Sequence, residues 1–319
     1  MMRKYKVSVV IPIYGVEKYI SRCAHALFSQ TLDDIQYVFV NDCTKDKSME
    51  VLQSVIIEYP SRKNDITIVT HEHNQGLPQA RKSGITYCTG EYIAHCDSDD
   101  WPESNMYEIM YNEAKEMECD IVSCDYYKSD GTTKKHVRIG KSRSLMQGPV
   151  WNKIVKRNIY FENDILYPTA NKAEDGALMT QLSYFGQKRS HVCDALYYYY
   201  NNPDSMCRII SKQDCIKRLN EECENVEFRV NFLKKIGCEK KFQSDVYMWK
   251  YVARRNLLPY IRDYDIYKIW ANTYPELNKD FLLNRNVNYK PKIEYLIIRL
   301  HLYNLLKLKD IIKKYIPNY

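Results

Sequence analysis

Two short stretches of this sequence carry residues that could do chemistry. Asp97-Ser98-Asp99 follows the β-prone run Tyr92 to Cys96, and Glu174-Asp175 precedes a helical pattern of Leu178, Leu182 and Phe185. In an extended backbone, side chains two apart share a face, so Asp97 and Asp99 point one way and Ser98 the other. Two like charges so close are costly unless water or a cation answers them. A hard divalent ion accepts such a pair and commonly completes its shell with phosphate oxygens. The competing reading is a solvated acidic turn. In it Asp100, on the opposite face, caps the following helix and Pro102 occupies that helix's first turn. Asp175 is likewise suited to an N-cap, where the helix terminus favours an ionised carboxylate.

The elements before Asp97 decide where these groups stand. Val7 to Ile13 reads as a strand buried on both faces, with Pro12 marking its end because proline cannot donate to a ladder. Ile20, Cys23, Ala24, Leu27 and Phe28 form one face of a helix. Ile35 to Val40 is the next strand, and the helix through Met49, Leu52 and Val55 takes Asp46 or Ser48 as its cap. Ile66 to Thr70 is a third strand, Leu77 to about Tyr87 a third helix, and Gly90 introduces the fourth strand. Such alternation predicts an α/β fold with a parallel sheet. Tyr14, Asn41-Asp42, Asn74-Gln75-Gly76 and Asp97-Ser98-Asp99 then fall at successive strand carboxyl ends, the rim where open α/β sheets bind ligands. The first strand is followed by neither Gly-x-Gly-x-x-Gly nor a P-loop, so phosphate must be held by metal and cation. Arg81, early in the third helix, is the candidate cation; its alternative is a solvated helix face.

Composition narrows the class. The chain of 319 residues suits one α/β domain with an appendage; 45% is hydrophobic and 27% charged, ordinary for a globular protein. Its 11 cysteines are scattered, with no Cys-x-x-Cys, which suggests reduced and largely buried thiols in a cytoplasmic protein. The early first strand leaves no room for a signal peptide, and no apolar run approaches the roughly 18 residues of a membrane span. Of the net charge of +7, the stretch from residue 286 onward holds +5, which argues against a general nucleic-acid surface.

The ordered motifs resemble the family 2 glycosyltransferases, with their GT-A fold. The resemblance is carried by Ser8-Val9-Val10-Ile11-Pro12-Ile13-Tyr14 with Glu17, Val40-Asn41-Asp42-Cys43-Thr44-Lys45-Asp46, and Asn74-Gln75-Gly76. It continues through Ala80-Arg81-Lys82-Ser83-Gly84, Gly90-Glu91-Tyr92 and Asp97-Ser98-Asp99-Asp100. It implies a nucleotide-sugar donor, usually a UDP-sugar, bound with a divalent Mg or Mn ion. Pro12, Tyr14, Glu17, Asp42, Arg81, Asp97 and Ser98 would line the donor site, with Tyr14 and Asp42 near the base and Asp97 near ribose or diphosphate. Asp99, helped by Asp97, would hold the metal, and Asp175 would be the catalytic base of an inverting transfer. Two positions depart from the family: Asn41 stands where an acid is frequent, and Cys43 where glycine is.

The second half is read more coarsely. Asp120 to Tyr126 is a strand, Lys128 to Ser144 a loop or hairpin over the site, and Gly148 to Lys153 resembles the family's acceptor-side segment, with a core Trp151 and a solvated Lys153 as the alternative. Tyr197 to Ser205 resembles the segment closing the domain, where Arg208 would replace a family arginine missing at Tyr200. From Ser211 the pattern is helical, with Gly237 a stop. The expected architecture is therefore a mostly parallel central sheet flanked by helices over 1–210, and an α-helical C-terminal extension over 211–319. In 290–319 a basic amphipathic helix (Ile293, Leu296, Ile297, Leu300, Ile311, Tyr315) suits peripheral contact with an anionic inner membrane face. It suits equally docking on the protein itself or on a second subunit of a homo-oligomer. The expected activity is sugar transfer to a saccharide or lipid-linked acceptor, in polysaccharide or lipid-linked oligosaccharide assembly. The alternatives are a non-catalytic nucleotide-sugar-binding module and a sugar-phosphate nucleotidyltransferase, the latter lacking its Gly-rich loop.

Overall fold

The structure is a computed structural model and describes residues 5–139, 148–202, 211–285 and 287–306. The chain divides into two compact units, Met1–Arg208 and Ile209–Tyr319. In the first, β1 (Val7–Ile13), α1 (Ile20–Phe28), β2 (Ile35–Asn41), α2 (Ser48–Glu58), β3 (Ile66–Thr70), α3 (Leu77–Thr86) and β4 (Tyr92–His95) alternate as expected. Their strands pair in parallel in the order β3-β2-β1-β4. Then come β5 (Trp101–Pro102), α4 (Met106–Glu116), β6 (Ile121–Ser129), β7 (Lys134–Val137), β8 (Lys153–Lys156), α5 (Arg157–Glu162), α6 (Glu174–Phe185) and β9 (Arg189–Tyr200). β8 joins β4 to β6 by antiparallel pairing, β9 runs parallel to β6, and β5 and β7 are short antiparallel additions to β9 and β6.

The sheet separates two apolar layers. One packs Ile11, Phe39 and Tyr92 against Leu27 of α1, Leu52 of α2 and Met110 of α4. The other packs Val10, Val40 and Ile93 against Ala80 of α3, Ile159 of α5 and Leu182 of α6. Odd and even residues of β1 thus serve different layers, which is why the strand reads as an unbroken apolar run.

Pro12 does not end β1, which continues to Ile13. Its position is still consequential. The β1–β4 ladder stops with Val10 opposite His95 and the Cys96 N–H bonded to the Val10 carbonyl (3.0 Å). Alternate residues of a strand face the same neighbour, so the next β1 donor toward β4 belongs to Pro12, which has none. The chain separates from β1 there and delivers Asp97 to the rim. Pro102 differs too: it lies in β5, paired with Tyr197, and α4 starts four residues later.

The second unit holds α7 (Lys212–Lys235), α8 (Gln243–Arg255), α9 (Tyr264–Asn272), α10 (Leu277–Leu283) and α11 (Tyr289–Arg299). Helix α7 opens on a Ser211–Asp214 capping box. It closes at Gly237 in a left-handed conformation (φ 67°), with Cys238 N–H on the Leu233 carbonyl and Gly237 N–H on that of Lys234. Those two bonds form a Schellman motif. Buried Arg254 donates to the carbonyls of Thr273 (2.6 Å) and Tyr274 (2.7 Å), satisfying the end of α9. No described helix is long and apolar enough to cross a membrane.

Gly84 sets how closely α3 approaches the sheet. A Cβ there would lie 2.5 Å from Val10 Cγ1 and 3.0 Å from Val40 Cγ2. In an open helix Gly→Ala gains about 1 kcal/mol of propensity. Here branched valines block the methyl, so Gly84→Ala is expected to lose about 1–3 kcal/mol in urea denaturation, as overpacked cores do. A gain would mean that α3 can retreat from the sheet.

Candidate active site

Three groups of residues meet the rim formed by the carboxyl ends of β1 to β4. The first is the β1–α1 loop. Tyr14 is about half exposed, at 49%. Gly15 N–H donates to Thr44 Oγ1 (2.9 Å), Val16 N–H to Ser48 Oγ (3.0 Å) and Glu17 N–H to Asp46 Oδ2 (3.0 Å), while Glu17 Oε2 accepts from Lys47 N–H (3.0 Å). Glu17 is thus exposed but tied to the β2–α2 loop. Asp46 Oδ1 also accepts the Ser48 N–H (3.1 Å) and so caps α2 from just outside it. Cys43 has φ 57°, the left-handed region that favours glycine, which accounts physically for the family preference there.

Asp42 forms the second group. Its Oδ1 accepts from His71 Nδ1 (2.7 Å) and Gln75 N–H (2.8 Å), and its Oδ2 accepts from Gly76 N–H (2.9 Å). His71 reaches on to Ser83 Oγ (2.9 Å). The carboxylate is almost sealed from solvent and holds the Asn74-Gln75-Gly76 turn against β2. Gly76 has φ 87°, and Asn171 Oδ1 takes the Leu77 N–H (3.0 Å) at the head of α3.

The third group is an ion cluster around Arg81. This side chain is buried, not a solvated helix face. Nη2 donates to Asp97 Oδ1 (2.7 Å), and Nη1 donates to Glu174 Oε1 and Asp175 Oδ1 (3.0 Å). Arg81 therefore gathers carboxylates where the sequence suggested a cation open to phosphate. Asp175 Oδ2 also receives Val150 N–H (3.4 Å). Asp175 lies inside the first turn of α6 and is not its N-cap, which is Ala173. Of the two acids heading α6, Asp175 faces the rim with 23% of its side chain exposed against 5% for Glu174.

One guanidinium among three carboxylates leaves an excess of negative charge, and the groups divide it unequally. Burial drives Glu174 well above the ordinary carboxylate range, more than Arg81 can offset, with the Asp175 charge adding to the rise. Burial also pushes Asp175 up, but Arg81, the Glu174 hydrogen bond and Val150 N–H outweigh it, so Asp175 sits below its usual value. For Asp97, burial raises the carboxyl, Arg81 opposes it, and Asp175 and Asp99 add to the rise, leaving it at about 7. The cluster thus keeps an ionised Asp175 beside a protonated neighbour.

Asp99 stands next to this cluster. Its Oδ2 accepts from Asn202 Nδ2 (2.9 Å), and its carbonyl accepts from Arg22 Nη2 (2.9 Å). Arg22 lies over the rings of Trp101 (3.7 Å) and Tyr200 (4.4 Å). Asp97 and Asp99 each keep one carboxylate oxygen outside the hydrogen bonds of the described residues. Among those residues no three His, Cys, Asp or Glu side chains converge as a metal cage. Two hard oxygens without a cage fit a Mg or Mn ion that takes its remaining ligands from phosphate and water. Ser98 is buried. Asp100 is buried as well and does not cap α4: its Oδ1 receives Tyr200 N–H (2.7 Å) and fastens β9 to this turn.

The sequence-derived residues thus assemble unequally. Arg81, Asp97 and Asp175 touch; Asp42 and the Pro12–Glu17 segment occupy the same rim with partners of their own. Arg22 and the role of His71 were not anticipated, whereas Asn202 and Lys153 fall in the two segments expected to close the domain and to form the acceptor side. Lys153 is buried, not solvated, with Nζ donating to the Pro149 carbonyl (2.6 Å) and Asn152 Oδ1 (2.7 Å). It holds the loop that presents Val150 N–H to Asp175. Arg208 and the stretch 203–205, like 140–144 of the expected hairpin and the part of the tail from Lys307 on, lie outside the described residues.

Comparison with known proteins agrees with this geometry. The sequence model described as glycosyl transferase family 2 matches residues 8–171, just over half of the chain. The chain belongs to glycosyl transferase family 2. It is therefore an enzyme of the glycosyltransferase class. It is 28% identical over 275 residues to the uncharacterized glycosyltransferase EpsJ of Bacillus subtilis, covering 79% of this chain and 76% of that one. Its fold is similar to that of S. aureus TarS 1-349, determined in complex with UDP-GlcNAc. The TM-score is 0.57 at 18% identity, over 85% of this chain and 92% of that one. The mannosyltransferase PcManGT of Pyrobaculum calidifontis, in complex with GDP-Man and Mn2+, has a TM-score of 0.55 at 13% identity, over 96% and 87% of the two chains. These likenesses bear out the GT-A type fold, and family membership removes the nucleotidyltransferase and the non-catalytic module.

Arg81→Met is expected to cost about 3 kcal/mol at pH 7.5, because it leaves buried carboxylates without their cation. The variant's carboxyls then rise in pKa, the folded state binds more protons than the unfolded one, and the deficit shrinks as pH falls toward 5. Arg81→Lys should recover only part of the loss, since an ammonium lacks the fork that reaches three acids. Urea denaturation at both pH values tests this; a deficit that stays constant with pH contradicts the electrostatic account.

Proposed function

We propose that this family 2 glycosyltransferase moves a sugar from a nucleoside diphosphate sugar, a UDP-sugar in the first instance, to an acceptor hydroxyl with inversion. The observation that carries the reading is Asp175, partly exposed at the rim and held by Arg81 beside Asp97. Asp175 takes the proton of the acceptor hydroxyl, whose oxygen bonds to the anomeric carbon. The bond from that carbon to the diphosphate oxygen breaks, and the diphosphate leaves with the electron pair. One base and no nucleophile make a single displacement, hence inversion. Asp99 and Asp97 would hold a divalent cation, which supplies neutralising charge for the diphosphate. Tyr14, exposed at the end of β1, suits the nucleoside end, with Asp42 bracing the Asn74-Gln75-Gly76 turn beside it and Pro12, Glu17 and Ser98 shaping that rim. The UDP-GlcNAc and GDP-Man complexes of the two similar folds support a nucleotide-sugar donor of this class. Arg81 serves as a positioning residue here, not as a phosphate ligand. Polysaccharide or lipid-linked oligosaccharide assembly is the setting this reading favours.

The test is transfer from a panel of UDP- and GDP-sugars with Mg or Mn. Asp175→Asn should lose about 10²–10⁴-fold in kcat with donor affinity within twofold, the range of general-base removal. Asp99→Ala should raise the metal concentration needed for half-maximal rate, and the product should show the opposite anomeric configuration by NMR. Full transfer by Asp175→Asn would remove the base assignment; absence of metal-dependent donor binding would remove the donor reading.

The described part of the C-terminal segment supports peripheral contact with an anionic membrane. On α11, Tyr295 and Ile298 face their own unit, whereas Ile293, Leu296 and Leu300 are exposed, with Lys290 and Arg299 exposed alongside. Flotation with phosphatidylglycerol vesicles should be lost in Leu296→Glu/Leu300→Glu. Unchanged flotation, or none by the parent chain, rejects the membrane role.

A further inference from the structure

Among the described residues, the β6–β7–β9 sheet leaves one charged pair without an ion-pair partner, on the face that carries Trp151. Register places Tyr126 and Lys128 of β6 beside Tyr197 and Tyr199 of β9, and opposite Val137 and Lys135 of β7. Alternation puts all six on one face. Trp151 lies on that face, stacked on Tyr197 (4.5 Å) and Tyr199 (5.5 Å) and edge-on to Tyr126 (4.9 Å). It follows Val150, whose N–H bonds Asp175. Val150 and Trp151 are themselves buried; beyond Trp151 this face carries the half-buried Tyr126 and Tyr199, then Lys128, with its Nζ 6.0 Å from the Tyr199 ring, and Lys135.

Lys128 and Lys135 are directly opposite across the ladder, and both are exposed. Like charges so placed destabilise a strand pair. Neither lysine makes an ion pair among the described residues, and the nearby acids are already engaged. Asp130 of the hairpin turn accepts from Thr132 and Thr133, and Asp125 is shared by His136 and His191. On the other face Lys134 has a partner in Tyr198 Oη (2.7 Å). Lysines on an edge strand discourage aggregation, but that purpose does not require two of them to face each other beside two half-buried tyrosines.

We propose that this face is the acceptor subsite and that it takes an anionic polyhydroxylated chain, carrying phosphate or carboxylate. Sugar or polyol units lie over Tyr126 and Tyr199, and a negative group one or more units from the reacting hydroxyl sits between Lys128 and Lys135. The inference rests on the glycosyltransferase reading above.

The probes are a synthetic glycerol-phosphate hexamer, hexagalacturonate and neutral maltohexaose, titrated calorimetrically into the full chain with UDP and Mn2+. At least one anionic oligomer should bind tenfold or more tightly than maltohexaose, weakening as NaCl rises from 20 to 200 mM. Lys128→Gln/Lys135→Gln should lower that affinity fivefold or more and leave UDP affinity unchanged. Preference for the phosphate oligomer or for the uronate identifies the charged group. Binding of maltohexaose as tight as either anion, no binding of either anion, or an unaffected double variant overturns the subsite. If UDP itself does not bind with Mn2+, it is the donor reading that fails; if UDP binds and the anions do not, only this inference does.

Discussion

The Arg81 guanidinium brings one positive charge to a place where the chain folds three carboxylates together. Those acids come from two distant stretches, Asp97 after β4 and Glu174-Asp175 at the head of α6, and each is costly to bury without a cation. Arg81 reaches both because α3 runs back along the sheet from the rim. The ion cluster thus ties the turn after β4 to the head of α6 and sets how these acids share their protons. Burial, reinforced by the neighbouring carboxylates, raises Glu174 and Asp97 against the pull of Arg81, while Arg81, the Glu174 hydrogen bond and Val150 N–H hold Asp175 below its usual value. The charge of the neighbouring Asp99 adds to the rise of Asp97.

Much of the β1–β4 half was legible in the sequence because local rules agree there. Buried parallel strands are continuous apolar runs, helices have one-sided stripes, and the polar residues between them necessarily collect on one rim. Asp97, Asp99 and Asp42 could be placed by that argument alone. What was hidden depends on tertiary pairing. Nothing near Arg81 says that it is buried, since its partners are sixteen and more than ninety residues away. Asp100 and Pro102 looked like helix-entry residues until β9, a hundred residues later, supplied their partners. Lys153 is polar by type and yet buried, because the carbonyl of Pro149 and the amide of Asn152 replace water around its amine.

The β6–β9 half was less legible for a related reason. Its strands are short, half-exposed and rich in tyrosine, so their residues could be core, surface or binding platform with equal propensity. Register settles which of these share a face. A one-residue shift between β6 and β7 would separate Lys128 from Lys135 across the sheet.

Gly84 joins the packing of the interior to the chemistry at the rim. It lies one turn beyond Arg81 on α3, so both residues look toward the sheet. The depth at which the helix rests on Val10 and Val40 therefore also fixes how far the guanidinium extends toward Asp97 and Asp175. The absence of a single methyl group in the core acts as a spacer gauge for the active site. Drift in those valines would be felt as a change in the basicity of Asp175 before it was felt as a change in the fold.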